Sequence, residues 1–198
     1  ETDPELTATV EGLINNDTVD YTVTRAEGEN VGSYTITAEG EREQGNYEVT
    51  YNEGTLTVTP VTEEVVVTIK ENSEVYTYDG TQKEVTGYVV ESISNALYEE
   101  SNIAFNGEAK VEGTNAGTYN MELTAQDFTN TSANFENVRF EIVDGTLVIN
   151  KKAVTVTADN KTSVYGDALV DLTISIPEGT LVGEDTESDL AVTLEKEE

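Results

Sequence analysis

The sequence predicts an all-β fold made of small sandwich-like units in series, and three observations support this. Apolar and polar residues alternate over short runs, which is the pattern of a half-buried strand. Valine, threonine and tyrosine are common in these runs, and such residues favour pleated strands. The same sequence motifs also recur along the chain, as they do in tandem repeat proteins.

The composition fits small β units and excludes several classes of function. Of the 198 residues, 36% are hydrophobic and 7% aromatic. Cysteine and histidine are absent, so the chain has no disulfide, no thiolate and no histidine base or zinc ligand. No apolar run approaches the length of a membrane span. The sequence shows no signal peptide and no initial methionine, which indicates a processed chain or a segment of a longer one.

The charge is strongly acidic. Forty aspartates and glutamates against ten lysines and arginines give a formal net charge of −30. Such a surface repels phosphates and anionic lipids, so we expect neither nucleic acid nor membranes as partners. The acidic residues are spread between apolar positions, which favours a folded surface over a disordered acidic tail.

Residues 1–60 are predicted to form a β unit that lacks its first strand. Turn residues interrupt the alternation at Asn15-Asn16-Asp17 and at Glu27–Asn30. The charged run Glu39–Gln44 predicts a solvated loop, and Pro60 is a plausible strand end. The strand candidates are Leu6–Val10, Val19–Thr24, Ser33–Ala38, Tyr47–Tyr51 and Thr55–Thr59.

Residues 61–151 are predicted to form a complete β unit. The run Val65–Ile69 favours a strand strongly, and Tyr76–Gly80 predicts a strand that ends in an Asp-Gly turn. Asn106-Gly107 predicts a hairpin, and Ser92–Ser101 is the one stretch that favours a helical turn. Further strand candidates are Glu84–Val90, Ile103–Phe105, Glu108–Val111, Thr118–Thr124, Val138–Val143 and Thr146–Asn150.

Residues 152–198 are predicted to form the first half of a further unit. The strand candidates there are Val154–Thr157, Leu172–Ile176 and Leu190–Leu194, with a turn at Tyr165-Gly166-Asp167. Below, these three predicted segments are called the first, middle and last units.

A closing motif is written twice, as Asn46–Pro60 and as Asn137–Lys151. Each copy has two alternating runs separated by a short break that ends in Gly54 or Gly145. The pattern predicts a tight hairpin in each unit, with the glycine at a positive φ.

Other motifs relate the units to one another. The matched pairs are Gly28–Tyr34 with Gly113–Tyr119, Val67–Tyr78 with Val154–Tyr165, Leu6–Val10 with Leu172–Ile176, and Gly12–Thr18 with Gly179–Thr186. Each unit is therefore expected to contain a different part of one kind of repeat fold.

These motifs resemble a known family. The first and last units resemble the MBG domain of the YGX type through Gly32-Ser33-Tyr34, Asn46-Tyr47 with Gly54-Thr55-Leu56, Tyr165-Gly166-Asp167 and Gly179–Thr186. The middle unit resembles a related YDG-like repeat through Tyr78-Asp79-Gly80-Thr81 and Asp144–Leu147. The resemblance implies an extracellular, tandemly repeated stalk or adhesin segment of a bacterial surface protein, and the family name suggests mucin binding.

The sequence predicts no enzyme, and we assign no catalytic, cofactor-binding or metal residue. Carboxylate pairs are expected by chance among forty acids, and tryptophan, a common sugar-stacking residue, is absent. Calcium is the one credible cofactor, because it takes carboxylate and carbonyl oxygens. Its candidate ligands are Asp159-Asn160, Asp167 with Asp171, and Glu184-Asp185 with Asp189.

Four recurring tyrosines, Tyr34, Tyr78, Tyr119 and Tyr165, allow two interpretations. They could form a carbohydrate platform, or they could be core residues whose hydroxyls bond nearby backbone. A second possibility for chemistry is an intramolecular lysine–asparagine crosslink. Its candidates are Lys70, expected to face solvent, and Asn150.

A structural spacer is the function that the sequence favours, with an adhesive module for host glycan or protein as the alternative. The junctions between units are short and predict a fairly stiff rod. The expected partners are neighbouring repeats, or copies of the chain joined head to tail in a filament. In that case Ala153–Ala158 of one chain would complete the Leu6–Thr59 unit of the next. A longer array in which each unit has its own first strand is the other possibility.

Overall fold

The chain is almost entirely β, which confirms the predicted fold class. The computed structural model describes residues 4–168 and 170–195, so the outermost residues of the first and last units lie outside the described part. No helix in the described part is long and apolar enough to cross a membrane. The helical elements there are short 3-10 turns at Glu100–Asn102, Ala125–Asp127 and Glu187–Asp189. The first of these overlaps the end of the stretch predicted to hold a helical turn.

The first unit contains one three-stranded antiparallel sheet and one short hairpin. Its strands are β1 (Thr22–Arg25), β2 (Gly32–Glu39), β3 (Glu43–Gln44), β4 (Tyr47–Glu48) and β5 (Gly54–Val58). The sheet has the order β1-β2-β5, and β3 pairs with β4 around Gly45, whose φ is 62°. The predicted solvated loop Glu39–Gln44 is therefore wrong at its end, where β3 forms. The predicted strand Leu6–Val10 is also wrong, since this segment joins no ladder.

The middle unit holds most of the strands. They are β6 (Val65–Glu71), β7 (Glu74–Thr77), β8 (Lys83–Thr86), β9 (Tyr88–Ile93), β10 (Ile103–Phe105), β11 (Lys110–Gly113), β12 (Gly117–Asn120), β13 (Phe128–Asn130), β14 (Val138–Val143) and β15 (Thr146–Asn150). One sheet has the order β14-β6-β9 and another the order β12-β15-β7. Two-stranded ladders, β8 with β11 and β10 with β13, complete the unit.

Strand β6 is the central element of the middle unit. It runs parallel to β14 and antiparallel to β9, so both of its edges are hydrogen-bonded. Val65, Val67 and Ile69 alternate along its inner face and are fully buried. Lys70 lies on the other face and is exposed, which confirms the prediction that it faces solvent. Its amine is 3.1 Å from a carboxylate oxygen of Glu91. The alternation of β6 thus reflects one face in the core and one in solvent.

The inner face of β6 ends in a buried charged residue, Glu71, which is 2% exposed. Its carboxylate accepts hydrogen bonds from the backbone N–H groups of Leu123 and Gly145, each at 2.6 Å. A buried carboxylate is costly unless hydrogen-bonded donors replace its water. Glu71 therefore connects β6 with the segment after β12 and with the β14–β15 connection.

The two predicted closing hairpins are both wrong. In the middle unit β14 pairs with β6, whereas β15 pairs with β12 and β7 in the other sheet. In the first unit β4 pairs with β3, and β5 pairs with β2. Each motif carries the chain from one sheet to another, so two alternating runs in succession do not become partners.

The glycines of these motifs also differ from the prediction, because neither Gly54 nor Gly145 has a positive φ. Glycine is needed at position 145 because neighbouring atoms approach its backbone too closely for a side chain. A Cβ atom there would lie 2.3 Å from the Asn72 carbonyl oxygen and 2.6 Å from Glu71 Cβ. Such distances are too short for any side chain, so the crossover fits only glycine.

The hairpin predicted at Asn106-Gly107 is also wrong, because the strands on either side of it do not pair with each other. The strand before it, β10, pairs with β13, and the strand after it, β11, pairs with β8. The predicted strand Glu84–Val90 is divided into β8 and β9 at Gly87, whose φ is 83°. The Asp-Gly turn is confirmed, with Gly80 at a φ of 78° and Asp79 accepting a hydrogen bond from Thr81 N at 2.9 Å.

The core of the middle unit is apolar and partly aromatic. The rings of Tyr88, Phe105 and Phe128 contact one another with centroids 4.9 to 5.0 Å apart, and Phe128 continues to Phe140 at 5.7 Å. Offset and edge-to-face rings pack well in cores. Every buried residue of the described part lies between Val65 and Ile149, inside the middle unit.

The last unit has little regular structure in its described part. Its strands are β16 (Thr157–Ala158) and β17 (Ile174–Ser175), which form one short antiparallel pair. Asp159 follows β16 and accepts hydrogen bonds from the Thr173 and Ser175 hydroxyls. The strand predicted at Leu190–Leu194 is wrong, because these residues join no ladder.

We predict that Glu71→Ala destabilises the middle unit by about 3 kcal/mol, because it leaves two buried N–H groups without acceptors. Urea denaturation followed by circular dichroism measures the loss. The control is Glu91→Ala, which removes only the exposed partner of Lys70 and should cost less than about 1 kcal/mol. Equal losses in the two variants would show that Glu71 has no special role.

Candidate functional site

A loop with the sequence Gly-x-Asn-x-Gly-x-Tyr leads into β2 in the first unit and into β12 in the middle unit. The tyrosine hydroxyl in each copy donates to the carbonyl oxygen of the asparagine four residues earlier. The distances are 2.6 Å from Tyr34 to Asn30 and 2.9 Å from Tyr119 to Asn115. Both rings are half-buried. This confirms, for these two tyrosines, that the hydroxyls bond nearby backbone, and Tyr119 also packs against the core of the middle unit.

The first glycine of each loop lies against its tyrosine ring. A Cβ atom on Gly28 would come within 2.2 Å of Tyr34 Cε1, and one on Gly113 within 2.5 Å of Tyr119 Cε2. Gly28 also has a φ of 138°, which disfavours other residues. The motif therefore builds a compact loop of fixed shape at the same place in both units.

The loop of the first unit contacts the middle unit through Asn134. The Asn134 Oδ1 atom accepts from Val31 N at 2.8 Å, and its Nδ2 atom donates to Asn30 Oδ1 at 2.9 Å. The Asn134 backbone carbonyl also accepts from Val61 N at 2.9 Å, in the connection between the two units. One residue thus holds both the loop and the connection.

The equivalent loop of the middle unit faces the last unit. Asn115 and Ala116 line a cavity of about 340 Å³ together with residues of the segment Thr180–Leu190. Gly80 and Gly183 approach so closely that a Cβ atom on Gly80 would lie 2.6 Å from Gly183 Cα. A hydrogen bond with the Asp185 carboxylate raises the pKa of Tyr78 above its usual value.

The first unit carries an open groove of about 510 Å³. One wall is the segment Thr7–Glu11 and the other is Glu48–Gly54, with Val23, Ile36 and Ala38 from β1 and β2 between them. No residue of the described part of this unit is buried, and Val10 is 40% exposed. The apolar faces that should form a core therefore line the groove.

The walls of this groove correspond to the two neighbours of β6 in the middle unit. By the closing motif, Tyr47–Tyr51 matches Val138–Ile142 of β14. By the repeat, Leu6–Val10 matches Leu172–Ile176, which contains β17, and β17 pairs with β16 as β9 pairs with β6. The two walls of the groove are therefore sequence matches of the strands that flank β6 in the middle unit or its repeat.

Three of the candidate calcium ligands, Asp159, Asp185 and Asp189, form local hydrogen bonds. Bonds from Ser175 and Thr173 lower the pKa of Asp159, and bonds from Thr186 lower the pKa of Asp189. Asp185 forms a hydrogen bond with Tyr78, where the middle unit meets the last unit; this contact region is called the second junction. In the part of the chain that the structure describes, no cluster of three acidic residues could hold a metal ion. Calcium binding stays a prediction.

The remaining candidates do not come together. Lys70 lies in the β14-β6-β9 sheet and Asn150 in the β12-β15-β7 sheet, so the crosslink candidates occupy different sheets. Tyr165 is fully exposed, whereas its counterpart Tyr78 lies in the second junction. The four recurring tyrosines thus have different roles in the structure.

Two residues of the site were missed in the sequence. The sequence pattern could have identified Glu71 as buried, because alternation from Val67 and Ile69 places it on the inner face of β6. Asn134 had none, because its partners Asn30 and Val31 lie more than 100 residues earlier.

Hydrogen exchange tests whether the groove is open. We predict that the amides of Thr7–Val10 exchange rapidly. Those of Val67 and Ile69 should exchange at least about a thousandfold more slowly, since their exchange requires opening of the core. The measurement is made by mass spectrometry at low protein concentration. Comparable protection in the two segments would show that the first unit has a closed core.

One comparison with known proteins identifies a family. Residues 1–57 match the family model of the MBG domain (YGX type). No curated protein and no solved structure matches the chain. The resemblance to MBG-type repeats that the sequence motifs carry is therefore confirmed for the first unit.

Proposed function

We propose that this chain is a spacer segment of a bacterial surface protein and acts outside the cell. Its support begins with the MBG match, which identifies a repeat module rather than an enzyme family. Tandem units of one kind are the usual construction of stalks, in which each unit contacts only its neighbours. In this function the chain sets the length and the stiffness of the stalk and catalyses no reaction.

The observation that carries the proposal is that the same loop lies at both junctions between units. The Gly-x-Asn-x-Gly-x-Tyr loop of the first unit bonds Asn134 of the middle unit, and the middle unit presents its own copy to the last unit. The loop is built in the same way each time, through the tyrosine-to-asparagine hydrogen bond. A loop of the same construction at each junction would hold successive units in fixed positions and oppose bending.

The charge supports the same function. A net charge of −30 keeps neighbouring stalks apart by mutual repulsion, within the Debye length of about 8 Å at physiological salt. Acidic surfaces also resist non-specific association. A spacer at a crowded cell surface benefits from both effects.

The alternative, an adhesive module for glycan or host protein, has less support. Protein sites for sugars usually present grouped aromatic faces. Among the described aromatic side chains, Tyr21 and Tyr165 are exposed, and they belong to different units. The spacer proposal expects no saturable binding of the chain on a glycan array or to purified mucin. Saturable binding that Tyr165→Ala or Tyr21→Ala abolishes would overturn it in favour of adhesion.

We predict that Asn134→Ala loosens the first junction, because it removes both side-chain hydrogen bonds between the first and middle units. The chain has no native cysteine, so two spin labels can be placed, one in each of these units. Pulsed electron paramagnetic resonance then gives the distance distribution between the labels. We expect a clearly broader distribution in the variant.

The control for this experiment is Asn106→Ala, an exposed asparagine of the middle unit that lies in the connection between β10 and β11. It should leave the distribution unchanged. A distribution equally narrow in Asn134→Ala and in the parent chain would contradict the stiff junction.

A further inference from the structure

We propose that the middle unit is a load-bearing module, which resists a force that pulls on the chain from both sides of the unit. The resistance comes from two extended runs, residues 65–77 and residues 138–150, that lie side by side in parallel. They are called the parallel pair below. This role deepens the spacer function and rests on it only for the origin of the force, since a stalk under tension transmits load from unit to unit.

The two runs share one register. Each run consists of two strands, β6 followed by β7 and β14 followed by β15. Strand β6 pairs with β14 and β7 pairs with β15, both in parallel. Val65 lies opposite Val138 and Glu74 opposite Leu147, so the same number of residues separates the partners in both ladders. Neither short connection between the strands of a run contains a turn or a bend. The two runs therefore pass together, still in register, from one sheet to the other.

Side chains hold the pair together at this passage. The backbone ladder is interrupted there, and two side chains of the first run take its place. The Glu71 carboxylate accepts a hydrogen bond from Gly145 N at 2.6 Å, and the Ser73 hydroxyl oxygen accepts one from Thr146 N at 3.0 Å. Gly145 also lies directly against the Asn72 carbonyl. Hydrogen bonds to a charged acceptor are among the strong ones, so the passage is not a weak point of the pair.

The pair continues at both of its ends. Before β6, Val61 and Phe135 form a parallel bridge, and Glu136 N donates to the Val61 carbonyl at 3.0 Å. After β15, the Asn150 carbonyl accepts from Tyr78 N at 2.8 Å. The chain therefore enters the unit at one end of the pair and leaves it at the opposite end, about 40 Å away by the usual rise of a strand residue.

This arrangement decides how a pulling force acts on the unit. Force on the entering chain draws the first run towards its start, and force on the leaving chain draws the second run towards its end. The runs must then slide past each other, and sliding strains all hydrogen bonds of the pair at the same time. In the other possible direction, in which a ladder opens from one end, the bonds break one after another at a lower force.

The outer neighbours of the pair add resistance. Strand β6 is also paired with β9, and β15 is also paired with β12, so the first and the last strand of the unit are hydrogen-bonded on both edges. Val67, Ile69, Leu147 and Ile149 of these two strands are at most 2% exposed. Either strand can leave only by breaking two ladders and exposing core residues to water. The unit is therefore anchored at the two strands on which the force acts.

The first test compares two pulling directions on the full chain in optical tweezers. The chain has no native cysteine, so handles can be attached at chosen exposed residues. The double variant Glu63→Cys with Lys151→Cys is pulled along the parallel pair. The double variant Glu63→Cys with Glu136→Cys opens the β6–β14 ladder from its start. Pulling along the pair should need at least about threefold more force, because forced unfolding follows the unfolding rate and sliding loads the whole ladder at once.

The second test removes hydrogen bonds of the pair. Ser73→Ala should raise the unfolding rate at constant force along the pair about fivefold, and Glu71→Gln, which replaces the charged acceptor, at least about tenfold. Ser73 is exposed, so its variant keeps the test valid if Glu71→Gln prevents folding.

The matched control for these variants is Phe105→Leu. It weakens the ring contacts with Tyr88 and Phe128 in the core, and none of these three residues belongs to the parallel pair. The variant should be less stable in urea, yet its unfolding rate along the pair should change less than about twofold, since these contacts are still present when the pair breaks.

Equal forces in the two pulling directions would overturn the proposal. So would Ser73→Ala and Glu71→Gln chains that unfold no faster along the pair than Phe105→Leu. Either result leaves the spacer function standing, whereas saturable binding of glycan or mucin would overturn the spacer function and leave the mechanical resistance of the unit intact.

Discussion

The structure depends on one constraint, which is that the central strand of a unit must be hydrogen-bonded on both edges and buried on one face. Strand β6 meets it in the middle unit, where Val65, Val67 and Ile69 are fully buried and Glu71 connects the strand to two other segments. All buried residues of the described chain lie in this unit. In the first unit the apolar residues line an open groove and remain partly exposed.

The junctions follow a second repeated rule. The same loop, closed by a tyrosine hydroxyl on an asparagine carbonyl, lies at the boundary of the first and middle units and at that of the middle and last units. Its glycines serve close packing under the tyrosine ring. The residues that the repeats share therefore set the shape of loops and junctions, which agrees with a function in spacing rather than in chemistry.

The sequence predicts strands well here and their partners poorly. Alternation identifies runs such as Val65–Ile69 and Val138–Val143 because burial of one face is a local property of the chain. Pairing is not local: Asn106-Gly107 and Gly145 have hairpin sequences, yet the strands around them enter different ladders. Glu71 could be placed inward by counting, but its donors, Leu123 and Gly145, required the fold. The segment Leu6–Val10 alternates and still joins no ladder, because alternation alone does not supply a partner strand.

An engineered disulfide tests most directly that β6 is the central strand of the middle unit, since the chain has no cysteine of its own. Lys70 lies opposite Val143 on the outer face of the middle unit. Neighbouring strands bring such pairs within disulfide reach. The double variant Lys70→Cys with Val143→Cys should form an intramolecular disulfide under mild oxidation, whereas Thr68→Cys with Val143→Cys, two residues out of register, should not. Equal crosslinking in the two double variants, or none in either, would contradict the account.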